Sequence, residues 1–295
     1  MAISGDKSFF MPENPQDVVQ LLAVHGDRAV LLAGGTFLHA LLARGPALRA
    51  EVLVDLRRAG LSYVKAANGT LTLGAMTTFR EIAEAERIKD RPVYGAIRDA
   101  LEYPPAQIRN MATVGGCVAA AYPLFDLPVA LMALDGSVKA LGPRASREIG
   151  LDKFFVDYFE HALGKGEFLT DVVVPMLPSQ SASAFLKLET NANDLALLNV
   201  GARVTLDESG ICREARVVIG GGVGKVPVRM DSCESVLKGQ RPSPELLEEA
   251  SQAIPLDLHP VSDHRASAQY RSTVAKVYAR RTLKRAFGRL GVELG

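Results

Sequence analysis

The hydrophobic positions of this chain change period several times, and each change marks an element. In "NPQDVVQLLAVHG", Val18, Val19 and Leu22 recur at helical spacing between the capping residue Asn14, Pro15 at the first helical position and Gly26 as the stop, which predicts a short helix. "AVLLA" and "EVLVDL" are continuous apolar runs bounded by turn residues, the pattern of strands buried on both faces, with a helical turn or two at "TFLHALLA" between them. "TLTLGAMT" then predicts a strand, and "TFREIAEAE" and "RPVYGAIRDALEY" predict helices. "ATVGGCVAAAYPLFDLPVALMALDGSVKA" passes from a glycine turn through a proline-broken loop to a helix and a strand. From Ser183 the β-rich runs "SAFLKLE", "LALLNVGARVTLD" and "CREARVVIGG" precede the helical patterns "PSPELLEEASQAI" and "RASAQYRSTVAKVYARRTLKRAF".

This order divides the chain into an N-terminal α/β lobe (residues 1–57), a larger second lobe (58–177) and an α+β domain (178–295) of strands followed by helices, with "PMLPSQSAS" as the linker. The last helix places Val274, Val277 and Tyr278 on one face and a dense set of arginines and lysines on the other. A solvated cationic face is the expected reading, and a docking surface for a partner subunit is the alternative.

Composition narrows the function classes. With 295 residues and 48% hydrophobic content the chain can bury a large core. Its 34 basic residues balance 33 acidic ones, so no global charge points to nucleic acid. Cys117, Cys212 and Cys233 are too scattered for a disulfide framework or a four-cysteine cluster. No uncharged apolar run approaches the roughly 20 residues of a membrane span, and "MAISGDKSFFMPENP" lacks a signal-peptide core, so a cytoplasmic protein is expected.

Three glycine clusters could cradle phosphate: Gly34-Gly35, Gly115-Gly116 and "GGGVGK" (220–225). The last fails as a nucleotide P-loop, because Ile219 stands where the first glycine belongs and Val226 where Ser or Thr would hold magnesium; a turn at a strand end is expected there. "AGGTFL" also lacks the G-x-G-x-x-G of a dinucleotide fold. The first two clusters share something else. Each sets paired glycines beside a threonine, Gly34-Gly35-Thr36 and Thr113-Val114-Gly115-Gly116, offering backbone amides with a hydroxyl, so two such loops could clasp one pyrophosphate. Taken singly, either pair reads as a tight turn.

The segment "AQIRNMATVGGCVAAAYPLFDLPVALMAL" closely resembles the second flavin motif of the FAD-binding medium subunit of the molybdenum hydroxylases, the xanthine dehydrogenase and carbon monoxide dehydrogenase family, with Asp126 ten residues past the second glycine. "LLAGGTFLHALL" is similar to the family's first FAD loop, "FFVDYFEHALGKGEFLTDVVVP" to a later block, and "VVIGGGVGKVPVRM" and "SDHRASAQYRSTVAKVYARRTL" to its C-terminal lobe. The likeness implies an α+β chain: a two-lobed FAD-binding fold of the vanillyl-alcohol-oxidase/PCMH type, then a C-terminal domain with a small antiparallel sheet and helices.

The resemblance also implies site residues. Leu31, Leu32, Ala33, Gly34, Gly35, Thr36, Phe37 and Leu38 would form the first FAD loop, and Thr113, Val114, Gly115, Gly116 and Cys117 the second. Asp126 would accept hydrogen bonds from the ribityl hydroxyls, although a helix N-cap reads equally well from local sequence. Lys187 would lie near the pyrimidine end of the flavin, where a cation steadies negative charge on reduction; without the resemblance it reads as a solvated strand lysine. Tyr103 would lie near the ring and Leu169 against the cofactor, with core packing as the alternative for both.

Some positions depart from the family pattern. Thr190 and Asn191 stand where relatives carry a basic pair, Leu195 replaces an aromatic, and Pro105 lies near the place of a histidine. His39 follows the first loop at helical spacing, but noncovalent FAD is the expectation.

No nucleophile, metal cluster or acid–base pair stands out, so substrate chemistry is expected on other chains. The resemblance implies a heterotrimer, paired as a dimer of heterotrimers. A large subunit would carry the molybdenum cofactor and a small one two [2Fe-2S] clusters, whose electrons would pass through FAD to NAD, a quinone, dioxygen or a carrier protein. Two alternatives stand beside this: a self-sufficient FAD-dependent oxidase or reductase of the same fold, and a flavin-free scaffold subunit.

Overall fold

Asn14 caps the helix Pro15–His25 through its side chain, which accepts a hydrogen bond from the Asp17 amide at 3.0 Å, and Gly26 ends the helix at φ +54°. In the computed structural model, which describes residues 8–38, 51–191 and 194–294, this helix packs on a parallel sheet of β1 (Ser8–Phe10), β2 (Ala29–Leu32) and β3 (Val52–Asp55) in the order β1-β3-β2. The central β3 buries Val52 and Val54, as a continuous apolar run should. By contrast β2 is half-buried along its length because it is an edge strand. Residues 36–38 begin a helix; the rest of "TFLHALLA", with His39, lies outside the described residues.

The second sheet is antiparallel. It contains β4 (Val64–Ala67), β5 (Thr70–Gly74), β6 (Ser137–Leu141) and β7 (Ser146–Gly150). A small ribbon, β8 (Phe155–Asp157) with β9 (Glu160–His161), comes before its central strand β10 (Phe168–Val174), and the order is β4-β5-β10-β6-β7. Leu71, Leu73, Val138 and Val172 form its core with Ile82, Ile97 and Leu101 from the helices. The helix Phe79–Glu84 starts at a capping box, Thr78 and Glu81 each satisfying the other's amide. Where a glycine turn was expected, Val114–Ala119 is helical, so Gly115 and Gly116 lie in a first helical turn capped by Thr113.

The third sheet is a meander of β11 (Ser181–Leu188), β12 (Leu198–Leu206), β13 (Cys212–Gly220) and β14 (Val228–Arg229). Every residue of β12 is buried, because both faces are covered. Val200, Ala202 and Val204 pack with Ala275, Ala279 and Leu283 of the long helix Ala268–Gly288. The alternate residues turn toward the helix Asp126–Ala133, where Arg203 Nε donates to the Ala133 carbonyl at 3.3 Å and Nη2 to Asp135 at 2.5 Å. The "GGGVGK" stretch is a strand end followed by a turn, with Gly221 and Gly222 at positive φ.

The last helix differs from the solvated cationic face expected of it. The cationic face of the last helix is not wholly solvated: Arg271 is buried, and Arg285 and Arg289 both reach the buried carboxylate of Asp99 on the helix Gly95–Glu102. The class is α+β.

Candidate functional site

The two glycine loops meet. The first follows β2 and the second forms the capped first turn of the helix Val114–Ala119, and the main chain at Gly34 approaches that at Met111, just before the second, with no side chain between. A Cβ on Gly34 would lie 1.8 Å from the Met111 carbonyl oxygen, and one on Gly116 would lie 3.4 Å from Ala33. Gly35 has a different reason to be glycine: its φ is +72°, in the left-handed region. Gly115 has a third, since its Cβ would fall 2.7 Å from the Ala75 carbonyl oxygen at the end of β5.

The amides of the two loops are not equivalent, which differs from the symmetric clasp read in the sequence. In the second loop Val114 donates to Thr77 O, Gly115 to Ala75 O, Cys117 to Thr113 O and Gly116 to the Thr113 hydroxyl. That loop is thereby fixed to the second sheet. Among the described residues, the amides of Gly34 and Gly35 meet no acceptor. The free donors therefore belong to the first loop, and the second contributes the threonine hydroxyl and a rigid wall.

Below the loops opens a cavity of about 700 Å³, inside the range of small-molecule sites. It is lined by residues 31–38 and by Tyr103, Thr113, Gly115, Gly116, Cys117, Asp126, Leu169 and Lys187. Val114 is the exception among the sequence-derived candidates: its side chain is buried in the second core. Tyr103 also packs edge-on against Phe185, so it serves cavity and core together.

One end of the cavity is polar. Lys187 Nζ lies 3.1 Å from Asp126 Oδ2, 2.9 Å from Glu189 Oε2 and 2.9 Å from the Asp194 carbonyl oxygen, and 4.6 Å above the Tyr103 ring. The ammonium thus donates to the Asp194 carbonyl and forms ion pairs with the two carboxylates, of which Glu189 Oε2 is buried without a hydrogen-bond partner. Asp126 begins its helix without acting as a side-chain cap, Phe125 being the N-cap residue. Its second oxygen accepts from Asn199 Nδ2 at 2.9 Å. Burial pushes the Asp126 carboxyl up to about 6, against the opposing pull of Lys187 and Asn199. Burial also raises the Tyr103 hydroxyl and, reinforced by Asp126, holds the Cys117 thiol far above its usual range.

The other wall is aromatic. Tyr122 and Phe159 stack at 5.2 Å between centroids with 7° between planes, and Phe37 lies 5.3 Å from Tyr122. Ala121 and Phe159 both adopt left-handed φ, +43° and +58°, and the Phe159 amide donates to Ala121 O at 3.0 Å. Backbone strain of this kind costs on the order of 1–3 kcal/mol per residue and gathers at functional sites.

Sequence reasoning missed Asn199, Asp194 and the aromatics Tyr122, Phe125 and Phe159. Asn199 did leave a signal, a polar residue inside the apolar run "LLNVGARV". Phe159 left a fainter one, an aromatic at a polar turn.

These features fit a flavin dinucleotide. Free amides beside glycines suit a pyrophosphate, a buried carboxylate suits a polyol, and apolar and aromatic walls suit flat rings.

Comparison with known proteins agrees. Residues 4–177 match the family model described as the FAD binding domain in molybdopterin dehydrogenase, and residues 183–286 the CO dehydrogenase flavoprotein C-terminal domain. The chain is 33% identical to the 6-hydroxypseudooxynicotine dehydrogenase complex subunit alpha of Paenarthrobacter nicotinovorans, over 95% of this chain and 94% of that one. It is 29% identical to the carbon monoxide dehydrogenase medium chain of Afipia carboxidovorans, over 97% and 99%. Its fold superposes on a chain of the Cu,Mo-CO dehydrogenase with a TM-score of 0.90 at 28% identity, covering 98% of this chain and all of that one. Quinoline 2-oxidoreductase from Pseudomonas putida 86 gives a TM-score of 0.88 at 26% identity with the same coverage. The chain belongs to the family of FAD-binding medium subunits of molybdenum hydroxylases, whose carbon monoxide dehydrogenase member shares its fold from end to end.

Proposed function

We propose that this subunit binds FAD noncovalently in the cavity and relays electrons from two [2Fe-2S] clusters of a small partner subunit to an external acceptor. A large partner subunit would hydroxylate the substrate at its molybdenum cofactor. The flavin supplies the conversion between one-electron arrival and two-electron delivery. This chain's residues bind and orient it. The amides of Gly34 and Gly35 and the Thr113 hydroxyl would hold the pyrophosphate, and Asp126 a ribityl hydroxyl. Tyr103, Leu169 and the loop at Asp194 and Leu195 would enclose the ring. Leu31–Leu38 and residues 113–117 give the cradle its shape, with Val114 anchoring it from the core.

The observation that supports this reading is the close approach of two glycine-bearing loops above a cavity whose far end holds a buried carboxylate–lysine pair. In the same reading the chain is built as an α/β lobe (1–57), a second FAD-binding lobe (58–177) and a C-terminal domain (178–295). It works in the cytoplasm within a dimer of heterotrimers.

The test is purification of the assembled protein from its host. Co-purification of a large and a small subunit is expected, with flavin absorption near about 370 and 450 nm that bleaches when the complex's substrate is added anaerobically. An active complex without flavin bands would leave only the scaffold role.

A further inference from the structure

The third partner of Lys187 is not held by its own strand. The Asp194 carbonyl oxygen belongs to the connection between β11 and β12, and that connection is gripped from outside by Arg265. Arg265 Nη2 donates to the Leu195 carbonyl at 2.5 Å and to Asp194 Oδ2 at 3.2 Å, while Nη1 donates to the Ala196 carbonyl at 3.2 Å. Arg265 is itself anchored. Asp263 Oδ1 accepts its amide at 2.8 Å, and both Asp263 oxygens accept from Nη2 of the buried Arg271 at 2.8 Å. Contacts thus run from Arg271 through Asp263 and Arg265 to the Asp194 carboxylate and the carbonyls of Leu195 and Ala196, and from the Asp194 carbonyl through Lys187 to its ion pair with Asp126 in the cavity.

We propose that Arg265, outside the cavity, is a positioning residue for its polar end: by fixing the main chain at residues 194–196 it keeps the Asp194 carbonyl on the Lys187 ammonium and so limits what Lys187 offers a bound flavin ring. The proposal rests on the flavin reading above. With the grip in place, Lys187 faces two carboxylates and a carbonyl, and its charge is matched within the protein. Without the grip, Asp194 and Leu195 leave the wall, and one ammonium hydrogen is freed toward the cavity. An added donor at that place favours the more negative, reduced flavin. A planar fork is needed to span two carbonyls and a carboxylate, so lysine is a poor substitute.

The experiment uses the assembled protein with Arg265→Met and Arg265→Lys, each also combined with Lys187→Met. Arg265→Met is expected to shift the oxidised–reduced flavin equilibrium at least tenfold toward reduced, about 30 mV for a two-electron couple. Arg265→Lys should shift it less, and neither should shift it when Lys187 is Met. In flavin-free protein, amide exchange at Leu195 and Leu197 should quicken at least tenfold in Arg265→Met. An unchanged potential in the flavin-loaded variants, or a shift of the same size without Lys187, overturns the proposal. Should Arg265→Met lose its flavin, Arg265→Lys decides by the same criteria. A wild-type complex without flavin would instead refute the binding reading itself, so the two failures are distinct.

Discussion

Gly34 and Met111 touch through backbone alone: a Cβ on the glycine would fall 1.8 Å from the methionine carbonyl oxygen and 2.7 Å from its carbon. The glycine is required by the approach of the two loops, so Gly34→Ala must push them apart. We expect it to destabilise the protein by about 1–3 kcal/mol, the usual range for an overpacked site, and to lower flavin content at least tenfold. Gly288→Ala is the control. A Cβ there meets nothing within 4 Å and the residue is helical, so it should be neutral or stabilise by roughly 0.5–1 kcal/mol. Urea midpoints and flavin-to-protein ratios check both.

Asp99 joins the last helix to the body of the protein. Its carboxylate is 2% exposed and accepts from the Phe185 amide, Arg285 and Arg289. Asp99→Ala would remove this acceptor from the Phe185 amide and Arg285 and leave Arg289, itself mostly buried, with the Ser183 carbonyl. A loss of about 3 kcal/mol is expected, the lower end for breaking a buried pair, because Arg285 keeps partial access to water. Arg280→Ala, on the same helix but in an exposed pair with Glu248, should change stability by less than about 1 kcal/mol. Chemical denaturation of the two variants separates the cases.

These residues show how far the sequence was legible. The Asn14 cap, the apolar run of β3 and the β-rich run of β12 are local, so short-range pattern predicted them. The two glycine loops could be paired through a resemblance, which also pointed to Asp126. What escaped was set by contacts distant in sequence. Asp99 reaches across 190 positions to Arg289, and Asn199 reaches 73 to Asp126. Such partners leave no periodic trace. The cationic side of the last helix misled for the same reason: its charge density suggested water, and only the fold reveals the carboxylate that receives it.

Lys225 tests the rejected phosphate motif. Its ammonium pairs with Asp157 at 2.6 Å, both groups are accessible, and it does not line the cavity. Lys225→Ala should therefore leave flavin content unchanged and alter stability by no more than about 1 kcal/mol, an effect that fades in high salt. A loss of bound flavin in this variant would restore a cofactor role to "GGGVGK".

Asp126 gives the protein a pH signature of definite sign. Burial raises its carboxyl from 3.8 to about 6, so between those values the folded chain holds a proton that the unfolded chain has released. Stability must then fall as pH rises through that window, and the contribution levels off above about 7. The full shift corresponds to roughly 3 kcal/mol by the linkage between proton affinity and folding. Asp126→Asn cannot titrate and should lack this component. The difference in unfolding free energy between wild type and Asp126→Asn, measured in urea from pH 4 to 7, should move against the wild type as pH rises. The amide also gives Lys187 a weaker partner and a polyol a weaker acceptor, so the variant should retain less flavin at pH 7. A flat difference across the window would mean that the carboxyl titrates normally and that water reaches it.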